Sequence, residues 1–285
     1  MSFFTALLEN PFLQMALAAG LLSSITSGIV GSYVVVKRIS FIAGSISHSI
    51  LGGMGLCLWL QRSGGISWLH PMIGAFAAAI GSAWLLGWIQ LRYRQREDAL
   101  IAALWSTGMA IGVIFIALTP GSNVELMNFL FGNILWVSSF DLMSLLALDA
   151  LVLIITTIYY KRFLAICFDE EQAALQGAPV HQLYILLLSL VAISIVLLIQ
   201  IIGTILVLAL LTIPPTLAGL FTARLKPMML IACALGAIFS LIGLGASYEL
   251  NWPPGATIAL IAATSYLTIL LSKKRVLDKT RAIRL

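Results

Sequence analysis

Charge is what this chain has least of. Its 285 residues carry 16 Lys and Arg and 11 Asp and Glu, 9% together, where globular proteins run to about 25%. That is too few to clothe a water-soluble surface. The 61% hydrophobic share and mean hydropathy of +1.06 describe a chain that lives in lipid. Cysteine is scarce as well: Cys57, Cys167 and Cys233 stand singly with no CxxC, which excludes a zinc knuckle and gives no disulfide framework. No HExxH, no GxSxG elbow and no paired membrane carboxylates occur, so no enzyme constellation is present. A Walker A motif is missing too, which excludes ATP binding by that route. The N-terminus lacks the basic region of a secretory signal, so no cleaved leader is expected.

What charge there is falls in blocks: Lys37-Arg38, Arg92-Arg94-Arg96, Lys161-Arg162, Arg224-Lys226 and a tail from Lys273 to Arg284. The apolar segments between them exceed the roughly 20 residues needed to cross a hydrocarbon core about 30 Å thick. Cytoplasmic loops are enriched in Lys and Arg. The net charge of +5 therefore records which side of a membrane the loops face, and is no sign of nucleic-acid binding.

Placing the N-terminus outside gives a consistent path. Spans are expected over Phe12–Val36, Ile39–Leu60, Pro71–Leu91, Ala99–Leu118 and Phe140–Tyr160. Leu126–Val137 is too short to cross and is expected to lie at the outer surface or dip in. Asp169–Gln182 is polar and cytoplasmic. The apolar run Leu183–Leu225 is too long for one crossing, and a break near Gly203 divides it into two. Spans over Met228–Ala246 and Gly255–Leu271 complete an all-α polytopic bundle of nine transmembrane helices in one domain, residues 1–285, with eight the alternative count. Only Arg62 of the 16 basic residues then lies outside. A single crossing at Gly203 would also expel Arg224 and Lys226.

An ionisable side chain near the bilayer centre costs several kcal/mol and is a functional candidate by default. Two qualify. His48 lies about 14 Å into the second span, at 1.5 Å per residue, and Asp149 lies at similar depth in the fifth. The helical neighbours of His48 at i−4, i−3 and i+4 are Gly44, Ser45 and Gly52. Such small residues leave room for an ion beside the imidazole, or mark where another helix backbone comes close. Neutral imidazole is the commonest ligand for first-row divalent metals; the alternative is an interhelical hydrogen bond. Asp149 either lines a path, pairs with a hydroxyl or backbone group, or faces water. His70 and His181 fall in solvated loops. Phe131-Gly132-Asn133, Thr212-Ile213-Pro214-Pro215 and Asn251–Thr257 are polar or proline interruptions that read as helix ends, turns or bends.

Taken in order, several segments resemble the permease of bacterial ABC importers for zinc, manganese or iron(II), the ABC-3 family. They are Val35–Ser40 leading to Ser47-His48; Glu97–Ile101; Asn123–Met127 with Phe131–Leu135; Asp169–Gln172 to Gly177; Gly203–Val207; and Ile213-Pro214-Pro215. The likeness runs from the first span through Pro253-Pro254-Gly255. It implies a fold related to type II importers such as the vitamin B12 permease and a location in the bacterial cell membrane. The implied partners are a second permease subunit, alike or different, cytoplasmic ATP-binding subunits and an external metal-binding protein. It also implies that Phe221, Thr222, Arg224 and Lys226 form a coupling helix docking into the ATPase. Family members commonly place an aspartate four residues before the span-two histidine; here that position is Gly44, so half of the implied ligand pair is absent.

The expected function is thus the transmembrane permease subunit of an ATP-driven divalent metal importer, with no covalent chemistry or bound cofactor of its own. The metal is cargo, passing His48, Ser45, Ser47 and Asp149. The alternative is a secondary transporter driven by an ion gradient, for which Asp149 is the one available intramembrane carboxylate.

Overall fold

A computed structural model of the chain describes residues 3–66, 68–93, 97–120 and 134–282. Among these residues the chain is helical with no strand. In order it runs α1 (Phe3–Glu9), α2 (Pro11–Val36), α3 (Ser40–Ser63), α4 (Pro71–Tyr93), α5 (Glu97–Leu118) and a 3-10 turn at Ile134–Trp136. Then follow α6 (Ser139–Phe168), α7 (Glu170–Leu175), α8 (Val180–Ile202), α9 (Thr204–Phe221), α10 (Leu225–Leu250) and α11 (Pro254–Ala282). Nine of the described helices are long and apolar enough to cross a membrane. Among the described residues the count is therefore nine rather than the alternative eight.

Local chemistry fixes the helix ends. The Asn10 side chain accepts from the Phe12 amide and Pro11 sits at the first helical position, opening α2. Ser138 and Asp141 form a reciprocal capping box that opens α6. The break in the long apolar run falls on Gly203, whose φ of 82° lies where a side chain is strained. One residue therefore ends α8 and begins α9.

Three expected boundaries shift. No breaker follows Tyr160 until Asp169, so α6 runs to Phe168, about 45 Å at 1.5 Å per residue, and carries Lys161 and Arg162 on its inner end. α10 begins at Leu225, ahead of the expected Met228. Pro214 and Pro215 do not break α9, which passes through both. Pro215 removes the amide that would have bonded the Leu211 carbonyl, and Gly31 of α2 lies against that carbonyl so closely that a Cβ would sit 2.2 Å from it. Of the expected outer stretch, the part up to residue 133, with Phe131-Gly132-Asn133, lies outside the described residues. So do the side chains of the Arg92–Arg96 block and of the tail from Lys273.

Packing follows the logic of lipid, where close backbone approach replaces the hydrophobic drive. Gly53 of α3 meets the Gly74 carbonyl of α4, and Gly52 meets the Gly108 carbonyl of α5, at 2.1 and 2.8 Å for a built Cβ. Gly28 of α2 meets Cys233 of α10 in the same way. α2, α3 and α8 are largely enclosed, whereas α5 and α11 turn most of their surface outward.

The basic blocks converge. Lys37 at the end of α2 bonds Glu170 of α7 at 2.5 Å and the Ile166 carbonyl of α6 at 2.8 Å. Lys226 at the start of α10 lies 4.8 Å from the ring centre of Tyr160, beside Lys161 and Arg162. Arg62 lies apart with Pro120, at the opposite ends of α3 and α5. These described basic side chains therefore lie at one end of the bundle, with Arg62 at the other.

Candidate functional site

His48 occupies the face of α3 that meets α5. Its imidazole lies on the Trp105 indole, with ring centroids 4.4 Å apart and planes 20° apart. It makes no hydrogen bond among the described residues, so the interhelical hydrogen bond of the alternative reading is not seen among them. A stacked imidazole has one covered face and leaves its ring nitrogens at the edge. The small neighbours play the second of their two expected parts: Gly52 admits the Gly108 backbone, and at Gly44 a Cβ would sit 3.1 Å from Trp105 Cζ3. Gly44 and His48 thus share the Trp105 surface, and indole carbon fills the space beside Gly44.

The neighbouring hydroxyls divide. Ser47 turns its proton onto the Ala43 carbonyl of its own helix at 2.8 Å. Ser45 is fully buried and its hydroxyl has no partner among the described residues.

Asp149 sits elsewhere. It is 5% exposed, on the face of α6 that packs against α2, and the Thr26 hydroxyl donates to its Oδ1 at 2.5 Å. Its Oδ2 has no partner among the described residues. Of the three expected roles, pairing with a hydroxyl is the one observed. The structure does not gather His48 and Asp149 into one cluster: they belong to different helix pairs. No group of three or more His, Cys, Asp or Glu is arranged to hold a metal among the described residues.

At the inner end the expected coupling helix is not a helix of its own. Phe221 closes α9, Thr222 is extended, Ala223 and Arg224 form the bend, and Lys226 already belongs to α10. Two long helices consume the segment and leave a three-residue turn. The separate short helix on this side is α7. Asp169 caps it by accepting from the Gln172 amide at 2.9 Å, and Ala173 anchors it at 2% exposed. Gly177 ends it at φ 78°, with the paired bonds of a Schellman turn from Gly177 to Ala174 and Ala178 to Ala173. Its Leu175 is 89% exposed.

Sequence reasoning missed Trp105, Thr26 and the prominence of α7. Trp105 had a legible signal, since tryptophan favours membrane interfaces and this one lies about 12 Å inside its helix. Nothing in the sequence singled out Thr26 from the other hydroxyls of α2.

Nine apolar helices among the described residues, around a few enclosed polar groups and with a capped helix displayed at the basic end, define a multi-spanning membrane protein. The ABC 3 transport family matches residues 9–273. A protein of Chlamydia pneumoniae named as a metal transport system membrane protein is 49% identical over 257 residues, covering 90% of this chain and 87% of its own. A manganese transport system membrane protein, MntC, of Halalkalibacterium halodurans is 32% identical over 264 residues, covering 93% and 88%. Among solved structures, PsaBC from Streptococcus pneumoniae in complex with Fab superposes with a TM-score of 0.80 at 32% identity, covering 93% of each chain. The chain belongs to the ABC 3 transport family.

Proposed function

We propose that this chain is the permease subunit of an ATP-driven importer of a divalent first-row metal ion in a bacterial cell membrane. Manganese stands ahead of zinc and iron(II), because the MntC relative matches along nearly its whole length. The observation that carries the reading is the family match from residue 9 to 273, which spans all nine membrane helices. The ion is cargo. It enters from an external metal-binding protein, passes between two permease subunits, and meets the His48 imidazole partway across.

In this reading His48 is the nitrogen ligand of the path, oriented by its stack on Trp105. Ser45 adds a hydroxyl oxygen on the same helix. Asp149 serves mainly to hold α6 to α2 through Thr26. ATP is hydrolysed by separate cytoplasmic subunits that dock on the inner surface, and α7 is the element best formed to receive them. The turn through Thr222 and Arg224 flanks that surface.

The test is reconstitution of the chain in proteoliposomes with its ATP-binding subunits and its external binding protein. Manganese uptake should require ATP inside the cytoplasmic compartment and should fail when any one component is omitted. Uptake driven by an imposed ion gradient without ATP would replace this reading with a secondary transporter.

A further inference from the structure

The inner half of the bundle holds a cleft that the transport reading leaves unused. It lies between α2, α6 and α10 and has a volume of 790 Å³. Its walls are apolar: Ile25 and Ile29 of α2, Leu153 of α6, and Met229, Leu230 and Cys233 of α10. Cys233 on its wall is also where α10 comes closest against Gly28 of α2. Its mouth is cationic, lined by Lys161, Arg162 and Lys226.

Dimensions and charge together select the occupant. From Lys161 up to Leu153 the wall rises about 12 Å at 1.5 Å per residue, close to the depth of one leaflet of a core about 30 Å thick. The three cations have no acidic partner among the described residues; the one salt bridge there is Lys37–Glu170. Lys226 and Arg162 rest over the rings of Tyr160 and Tyr159, at 4.8 and 5.9 Å, which leaves their donors free to meet an anion. A smaller hollow of 480 Å³ shares Tyr160 and Lys226 and adds Arg224 on the aqueous side. Basic pockets between transmembrane helices on the cytoplasmic side are suited to anionic lipid headgroups. We propose that the cleft between α2, α6 and α10 holds one anionic phospholipid of the inner leaflet. Its phosphate sits among Lys161, Arg162 and Lys226, and one acyl chain lies against Ile29, Leu153 and Leu230.

The proposal rests on the membrane orientation and is independent of what the protein transports. α5, which carries Trp105, packs on α3 and α4 and does not border the cleft.

Native mass spectrometry of the full-length chain in mild detergent, titrated with phosphatidylglycerol or with phosphatidylcholine of the same acyl chains, tests it. One phosphatidylglycerol should bind well ahead of phosphatidylcholine. K161Q/R162Q/K226Q should lower that affinity on the order of a hundredfold, given the contribution of each basic residue near an anionic headgroup. The charge-keeping K161R/R162K/K226R should retain it. R38Q, which removes an inner-surface charge away from the cleft, should leave it unchanged. Thr157→Trp, which fills the cleft from an exposed position on α6, should also lose the lipid. Equal binding of the two lipids, or undiminished binding in either the charge-removed or the filled variant, overturns the proposal. A change of oligomeric state in Thr157→Trp in place of lipid loss would assign the cleft to a second copy of the chain and overturn it as well.

Discussion

His48 lies flat on Trp105, 4.4 Å between ring centres, and among the described residues this stack stands where a hydrogen bond to the imidazole was the alternative. A polar ring deep in a membrane helix usually satisfies its nitrogens against a neighbouring helix. Here the neighbour presents an aromatic face. The arrangement orients the ring without occupying its nitrogen lone pair, which suits a ligand that an ion meets in transit.

If His48 is that ligand, His48→Ala should lower manganese uptake roughly tenfold or more, since even outer partners of a metal are worth 10–100-fold. Membrane levels should stay near wild type. His48→Gln should not restore uptake, because an amide stacks and hydrogen-bonds yet is a poor metal ligand. Uptake normalised to membrane level decides this, and normal transport by His48→Ala removes the residue from the path.

Gly44 yields a prediction that runs against the intuition of adding a carboxylate one turn from His48. A Cβ there already lies 3.1 Å from Trp105, so Gly44→Asp must displace the indole before it can reach the imidazole edge. The single variant should lose about 1–3 kcal/mol, the usual range for overpacking, read as a lower melting temperature in detergent. Adding Trp105→Ala should recover part of that loss. A Gly44→Asp protein as stable as wild type would show that Trp105 moves aside freely.

The Thr26–Asp149 hydrogen bond, 2.5 Å long and buried, ties α2 to α6. Interhelical polar pairs in membranes average about 0.6 kcal/mol and reach about 1.7. A double-mutant cycle with Thr26→Val and Asp149→Leu, each of which removes the bond, should give a coupling in that range. Manganese uptake by Asp149→Asn should remain within about twofold of wild type, because the amide oxygen still accepts from Thr26. A collapse of uptake with unchanged stability would return Asp149 to the translocation path.

The spans were legible because apolar length is set by bilayer thickness, and the basic blocks between them mark the ends that the described helices bring together. Gly203 was legible for a similar reason, since a run too long for one crossing needs one residue free to turn. Other features depend on what a side chain meets across the bundle. His48 was found as an ionisable group in lipid, but its partner Trp105 lies on another helix, and no spacing within α3 points to it. The prolines of α9 were read as a break, but the helix runs through both, and the Leu211 carbonyl that Pro215 frees faces Gly31 of α2, 180 residues away in sequence. The segment from Phe221 to Lys226 was expected to form a helix of its own, but the lengths of α9 and α10 leave only a turn between them.

That turn leaves α7 as a second candidate surface for the ATP-binding subunit. Leu175 is 89% exposed on a capped helix at the basic end, and Lys37 steadies the helix from beneath through Glu170. An exposed leucine on a fixed helix can bury an apolar side chain in a partner, worth about 1.5–3 kcal/mol, or roughly 10–100-fold in affinity. Leu175→Glu should therefore reduce co-purification of the ATP-binding subunit by at least tenfold while the permease stays in the membrane at its normal level. Charge reversal at Arg224 and Lys226 alters a flanking turn and should weaken the complex less. A reversed order of the two effects would make the turn the principal contact and α7 a bystander. If both variants hold the ATPase normally, neither element is the docking surface.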